Sequence, residues 1–468
     1  MNMKKLLLTL CLAAVASLPA VAQQQQQPAR QTPPQGGTPK PFVLPKTERL
    51  TLKNGMRVTL VPYGSVPKVT VTAVVRAGNL NEQPNQVWLA DLMGRMLKEG
   101  TSSRTGEQIA REAAEMGGQV NVLVAMDTTS VSGDVLSQHG SRLVALLADV
   151  LRNPQFPASE LKRHQTDMLR QVSIAKSQPG PIANELFRRI LYPNHPYGRL
   201  YPTPEMISGY RIEDVRKFYA DNFGAGRTHL YVAGRFDAAE MRRAITSAFE
   251  PWAAGTPVYT NIPKPKAVGE IHLVDRPNTP QATLYVGLPV VDPSHPDYIP
   301  FVVTNSLLGG SFGSRITSNI REAKGYTYSP ISQLSSRYRD AYWVEIADVT
   351  TDVTGPALKE IVYEIDRLRK EAPPEAELQG IKNYLAGIFV LQNSSRAGVI
   401  AQLASADLHG HPPDYLSTYV QRIMAVTPRD VQRIAQQYLA PDKMAVVVVG
   451  DRAKVEPQLA PFGKVITN

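Results

Sequence analysis

The feature that most constrains the fold is a repeat separated by about half the chain. Asp214-Val215-Arg216-Lys217-Phe218 opens a helix-like stretch that runs into the apolar strand Thr228–Gly234. Asp430-Val431-Gln432-Arg433-Ile434 opens a similar stretch that runs into Met444–Gly450. Asp214, Val215 and Gly234 each recur 216 positions later, in the same order of helix, strand and glycine. A half-length repeat of this kind predicts two similar domains. Each half mixes antiparallel-looking strands with long helices, so the expected class is α+β with two homologous halves.

The order of elements in the first half can be read from periodicity. Asn54-Gly55 between Leu50-Thr51-Leu52 and Val58-Thr59-Leu60-Val61 is a hairpin signal. Val69, Val71, Ala73 and Val75 alternate as a third strand. Helices are expected near 85–98 and 105–116, strands near 119–125 and 128–134, and a run of helices over 136–224. The first domain is expected over 46–254, a Pro- and Lys-rich linker over 255–268, and the second domain over 269–468.

Before the first domain, Lys4 and Lys5, the apolar run Leu6–Leu18 and Ala20-Val21-Ala22 read as a signal peptide cleaved after Ala22. Residues 23–45, rich in Gln and Pro, read as a disordered spacer. Such a leader suits export to a bacterial periplasm. The only cysteine, Cys11, lies inside the leader, so disulfides and thiolate metal sites are excluded from the mature chain. No other apolar stretch is long enough to span a membrane. The formal charge of +10 is scattered among acids rather than gathered in a stripe with aromatics, which reads as a solvated basic surface and not a nucleic-acid site.

The most informative segment for function is 88–101, where Trp88, Leu89, Leu92, Met93, Met96 and Leu97 recur at helical spacing ahead of Gly100. Asp91, Gly94 and Arg95 fall at i, i+3 and i+4 on one face of that helix. The segment resembles the pitrilysin/insulinase-type (inverzincin) zinc peptidases, whose motif is His-x-x-Glu-His followed by a short apolar run and Gly-Thr. Aligned on Gly100-Thr101, the first His becomes Asp91, the Glu becomes Gly94 and the second His becomes Arg95. The resemblance implies a further Glu ligand some seventy-odd residues downstream, but that window reads Leu169-Arg170-Gln171-Val172. All three ligands and the general base are altered, so no metal is expected in this chain. Asp91 and Arg95 are expected to pair with each other. His409 and His411 are expected on a surface loop without a third ligand nearby.

The second half reads differently. Leu307-Leu308-Gly309-Gly310-Ser311-Phe312-Gly313 leads through Arg315 into Arg321-Glu322-Ala323-Lys324-Gly325-Tyr326-Thr327-Tyr328. No Lys-Ser/Thr follows the glycines, which excludes a P-loop. The segment resembles the family's Gly-rich, Arg- and Tyr-bearing stretch of the C-terminal domain. In the family the Arg holds a substrate carbonyl and the Tyr donates to the oxyanion, which marks Arg321 and Tyr328 as catalytic candidates, with Tyr326 an alternative to Tyr328. The resemblance also marks Gly309, Gly310 and Asn121 as substrate-binding, Asn121 lying in Gly117–Thr129, which is similar to the family's peptide-pairing edge strand.

What the resemblance implies is two halves arranged as a clamshell and a division of labour between two chains. This chain would join a zinc-bearing homologue as a heterodimer, adding the Arg/Tyr pair to zinc and general base held by the partner. The alternative is a non-enzymatic peptide-binding or scaffold protein of the same fold. A stand-alone metalloendopeptidase is opposed by the residues at 91, 94 and 95.

Overall fold

The four alternating residues Val69, Val71, Ala73 and Val75 are completely buried along one face of strand β3 (Lys68–Val75), as period-two patterning requires. A computed structural model describes residues 43, 45–259 and 265–468. The expected leader, nearly all of the 23–45 spacer and the middle of the 255–268 linker lie outside the described residues.

Two six-stranded sheets account for the repeat. The first contains β1 (Glu48–Thr51), β2 (Arg57–Pro62), β3, β4 (Val120–Val124), β5 (Thr129–Leu136) and β6 (Thr228–Gly234), in the order β1-β2-β6-β3-β5-β4. The second contains β7 (Ile271–Asp275), β8 (Gln281–Val290), β9 (Ile331–Arg337), β10 (Asp340–Thr350), β11 (Ala445–Gly450) and β12 (Val465–Thr467), in the order β12-β7-β11-β8-β10-β9. The repeated strands β6 and β11 occupy the same place. Each pairs parallel to one neighbour (β2 or β7) and antiparallel to the other (β3 or β8). All their residues are buried. The sheets differ at the outer edge, where β1 is antiparallel to β2 but the C-terminal β12 is parallel to β7. The predicted hairpin forms with Leu50 opposite Val58, and Gly55 supplies the positive φ of 87° its turn requires.

Eight helices position the site and the seam between the halves. They are α1 (Leu89–Met96), α2 (Ala158–Ser177), α3 (Pro179–Leu191), α4 (Ile212–Asn222), α5 (Tyr298–Asn305), α6 (Glu375–Gln392), α7 (Arg396–His409) and α8 (Pro428–Tyr438). The repeat pairs α4 with α8. Helix α1 is shorter than the expected 85–98 because Trp88 takes a left-handed conformation (φ 67°, ψ 15°) that no helix can pass through. His409, expected on a surface loop, is instead the buried last residue of α7, and His411 beyond it stacks on Tyr415 with centroids 3.7 Å apart.

The halves exchange helices. Helix α3, from the first half, packs on β8 and β11 of the second sheet, and α7, from the second half, packs on β6 and β3 of the first. Phe187 of α3 is fully buried and lies 5.5 Å from the ring of Tyr342 and 6.0 Å from that of Tyr285. In return Val61, Tyr231 and Ala233 of the first sheet belong to the second half's hydrophobic core. Polar bonds flank both crossings. Arg396 of α7 donates to Asp134 at 2.8 Å, and Asp407 accepts from Tyr231 at 2.8 Å and Arg49 at 2.7 Å. On the other side Tyr192 donates to Asp340 at 2.5 Å and Tyr197 to Asp127 at 2.6 Å.

Because each half completes the other's core, thermal unfolding is expected to show a single transition. Phe187→Ala is expected to lower that one transition, at a cost of about 3–5 kcal/mol, and not to split it. Two resolved transitions in calorimetry would mean that each half is stable alone.

Candidate functional site

Helix α1 buries Leu89, Leu92, Met93 and Met96, which turns Asp91 and Arg95 away from the core face. Their expected ion pair is absent. Asp91 Oδ2 accepts from Asn79 Nδ2 at 2.7 Å, while Arg95 Nη2 donates to Gln171 Oε1 of α2 at 2.7 Å. Both side chains found better-placed partners on neighbouring segments, so proximity along one helix did not decide the pairing. Gln171 lies in the window where the resemblance called for a third metal ligand, and it is engaged there by a guanidinium.

Asn79 also donates to Glu82 Oε1 at 3.1 Å, and the same oxygen accepts the Ala90 amide at 2.9 Å in the first turn of α1. Glu82 and Asp91 thus share one amide in a buried pocket. Burial, with the nearby Asp91 charge adding to it, lifts the Glu82 carboxyl from its ordinary 4.5 to about 8. Burial raises Asp91 as well, opposed by the Asn79 bond and the Arg95 charge. Glu82 therefore carries a proton near neutral pH and offers no anionic ligand.

The place of the missing base is filled. A Cβ added to Gly94 would come within 2.5 Å of Val124 Cγ2 and 3.5 Å of Val122 Cγ1, both on the edge strand β4. Glycine at 94 is what allows β4 to lie this close to α1. Among the described residues no three His, Cys, Asp or Glu side chains converge as a metal site would require. The residues present do not fit zinc: one position is a cation, one has no side chain, and the other two hold an amide and a carboxyl bonded to an amide. Asn121, by contrast, is exposed on β4, beside whose outer edge no strand lies among the described residues, and Leu123 on the same strand is 67% exposed.

In the second half Leu307 and Leu308 are buried, and α5 continues through Ser306–Gly310 as a wider helical turn. Gly309 and Gly310 face inward. An added Cβ at 309 would meet Glu345 Oε2 and Ser332 Oγ at 2.6 Å, and one at 310 would meet Asn305 Nδ2 at 2.4 Å. A second wide turn, Thr317–Ala323, carries Arg321. It is closed by the Lys324 amide on the Asn319 carbonyl at 3.1 Å and by Gly325 in the left-handed region (φ 64°). The chain then reverses, pinned by Thr327 Oγ1 on the Asp348 carbonyl at 2.7 Å.

That reversal brings Arg321 and Tyr328 together. The guanidinium lies 4.5 Å from the ring centroid of Phe312 and 4.9 Å from that of Tyr328, held between two aromatic rings. Glu322 forms an ion pair with Arg321, its Oε1 lying 3.3 Å from Nε. Tyr328 and Phe312 are 78% and 71% exposed, so the group stands at the surface with a phenol and a guanidinium available as donors. Tyr326 is half-buried below Lys324 and is not part of the stack. Phe312, Gln171, Asn79 and Glu82 were not singled out from sequence. Only Gln171 had a signal, through its window.

Comparison with known proteins finds one family model on each side of residue 210. The family model described as Insulinase (Peptidase family M16) matches residues 57–205, and that described as Peptidase M16 inactive domain matches 211–385. An uncharacterized zinc protease of Bacillus subtilis is 26% identical over 84% of this chain and 96% of its own length. The mitochondrial-processing peptidase subunit beta of Bos taurus is 23% identical over 91% of this chain and 88% of its own. Among solved structures, a peptidase M16 inactive domain from Pseudomonas fluorescens superposes with a TM-score of 0.80 at 24% identity, covering 86% of this chain and 98% of that one. A protease from Helicobacter pylori gives 0.82 at 20% identity, covering 87% and 100%. These superpositions show the fold.

The closed first-half site has two measurable consequences. Glu82 holds its proton more tightly folded than unfolded, so its contribution to stability is complete below about pH 4.5 and is lost as pH rises through about 8. Melting temperature is expected to fall across that window, and Glu82→Gln to flatten the fall. Gly94→Glu is expected to destabilise by about 1–3 kcal/mol through overpacking against Val124. A Gly94→Glu chain that melts like wild type would show that β4 yields freely.

Proposed function

The chain belongs to the insulinase (M16) peptidase family, and from that premise we propose that it is the metal-free subunit of a two-chain peptidase. In this reading a zinc-bearing homologue supplies the metal, the activated water and the general base. This chain supplies Arg321 and Tyr328. Arg321 holds a substrate carbonyl, and the Tyr328 hydroxyl donates to the oxyanion that develops when the peptide bond is attacked. The work is placed in a periplasm, on peptides or unfolded proteins, in keeping with the leader-like N-terminal sequence.

The observation that carries the reading is the contrast between the halves. Every position that would bind zinc or take the proton in the first half is committed to internal packing or hydrogen bonding. In the second half Tyr328 and Phe312 are kept exposed at a cost, leaving large apolar surface in water beside the half-buried guanidinium of Arg321. Some of the relatives carry the name of a processing-peptidase subunit, which is in keeping with partnership between unlike chains. The exposed edge at Asn121 is a suitable place for an extended substrate to add a strand. Gly309 and Gly310 act in this reading by shaping the turn ahead of Phe312.

Mixing this chain with its zinc-bearing homologue is expected to switch on hydrolysis of a fluorogenic peptide that neither hydrolyses alone. Replacing Arg321 with Ala and Tyr328 with Phe in the complex is expected to lower kcat/KM by about 10²–10³-fold. Unchanged activity would remove the proposed roles. Failure to recover any zinc-bearing homologue by pull-down would favour the scaffold reading.

A further inference from the structure

Helix α6 combines glycines and large apolar side chains on its outward face. Gly380, Asn383, Tyr384, Gly387, Val390 and Leu391 are all exposed along it, over three turns, and none is charged. Tyr384 and Val390 are each 46% exposed and Leu391 is 67% exposed. The opposite face is the packed one, with Leu378, Lys382, Ala386 and Phe389 buried.

Helix α2 provides an internal control. It is the counterpart of α6 in the first half, Ser159-Glu160-Leu161 matching Ala376-Glu377-Leu378, and its outward face carries exposed Lys162, Arg163 and Arg170. The fold therefore does not require a neutral face at this position. The glycines sharpen the point. Glycine is a poor residue for a helix interior, and neither Gly380 nor Gly387 adopts a positive φ or has any atom within 4 Å of where its Cβ would stand. Among the described residues nothing packs against either one.

The face is complementary to itself. A two-fold axis crossing α6 between Leu385 and Ala386 would set a second α6 antiparallel to the first. It would place Tyr384 opposite Gly387 of the other copy, and Leu391 opposite Gly380. Each large side chain then meets a notch, four times over, as an isologous interface requires, and the glycines permit the close approach of the two helices. With no charge on the face, no like charges meet across the axis. The same operation on α2 would bring its cations together.

We propose that the outward face of α6 docks a second copy of this chain in an antiparallel pair about that axis. The proposal does not depend on the function inferred above.

The test uses the full chain with Cys11→Ser, which removes its only cysteine. Tyr384→Cys chains mixed with Gly387→Cys chains are expected to form a disulfide-linked pair on mild oxidation, as are Gly380→Cys chains mixed with Leu391→Cys chains. Gly380→Cys alone is expected not to cross-link, because the axis separates its two thiols by roughly 16 Å along the helix. In sedimentation at about 100 µM, a concentration suited to a small specific interface, wild type is expected to run at twice the mass of Tyr384→Asp/Leu391→Asp, with equal melting temperatures. A monomeric wild type, a dimer untouched by the double variant, or self-cross-linking of Gly380→Cys would overturn the proposal. So would loss of binding only to a zinc-bearing homologue.

Discussion

The reciprocal exchange of α3 and α7 between the two sheets is the constraint on which the rest of the structure depends. Each sheet has a buried face that its own half does not fully cover, and the covering helix comes from the other half. The seam is also polar in a controlled way. Arg337 is buried with its guanidinium 5.1 Å from the rings of both Tyr197 and Tyr342, while Asp127 and Asp340 accept from the surrounding tyrosines. A cation stacked on aromatic rings, with carboxylates behind them, costs less to bury than a bare charge. Two halves joined in this way behave as one body.

Within that body the two homologous halves have diverged by opposite physical routes. In the first, the positions at 91, 94, 95 and 171 have been absorbed into structure. An amide, a carboxyl, a guanidinium and a glycine complete hydrogen bonds and let β4 settle on α1. In the second, two wide helical turns and a left-handed glycine hold Arg321 between two exposed rings. A wide turn is less favourable than a regular helical one and recurs at functional sites in helical proteins. The first half has gained packing where chemistry would sit, and the second keeps irregular turns and exposure where donors stand.

Much of this was legible in the sequence, for definite reasons. The repeat at Asp214 and Asp430 marked β6 and β11 as equivalent strands, because largely apolar strands beside repeated helix starts leave few alternatives. Period-two alternation placed β3. What was not legible depends on distant contacts. Spacing along the helix pairs Asp91 with Arg95, but Asn79 and Gln171, brought in by other segments, took both. His409 looked like a loop residue because Gly410 and Pro412 come after it, yet α7 runs to His409 and Gly410 caps it with φ 71°. Phe312 gave no sign of its role, since a ring beside glycines acquires meaning only when Arg321 folds against it. The helix exchange left no local signature at all.

We propose that this chain holds no zinc and that its part in peptide hydrolysis falls to its second half. Elemental analysis of the purified chain, after exposure to zinc and removal of loosely held metal, tests it most directly. The account predicts a zinc content indistinguishable from that of a protein without a site. One tightly held zinc per chain, released by Asp91→Ala, would contradict it.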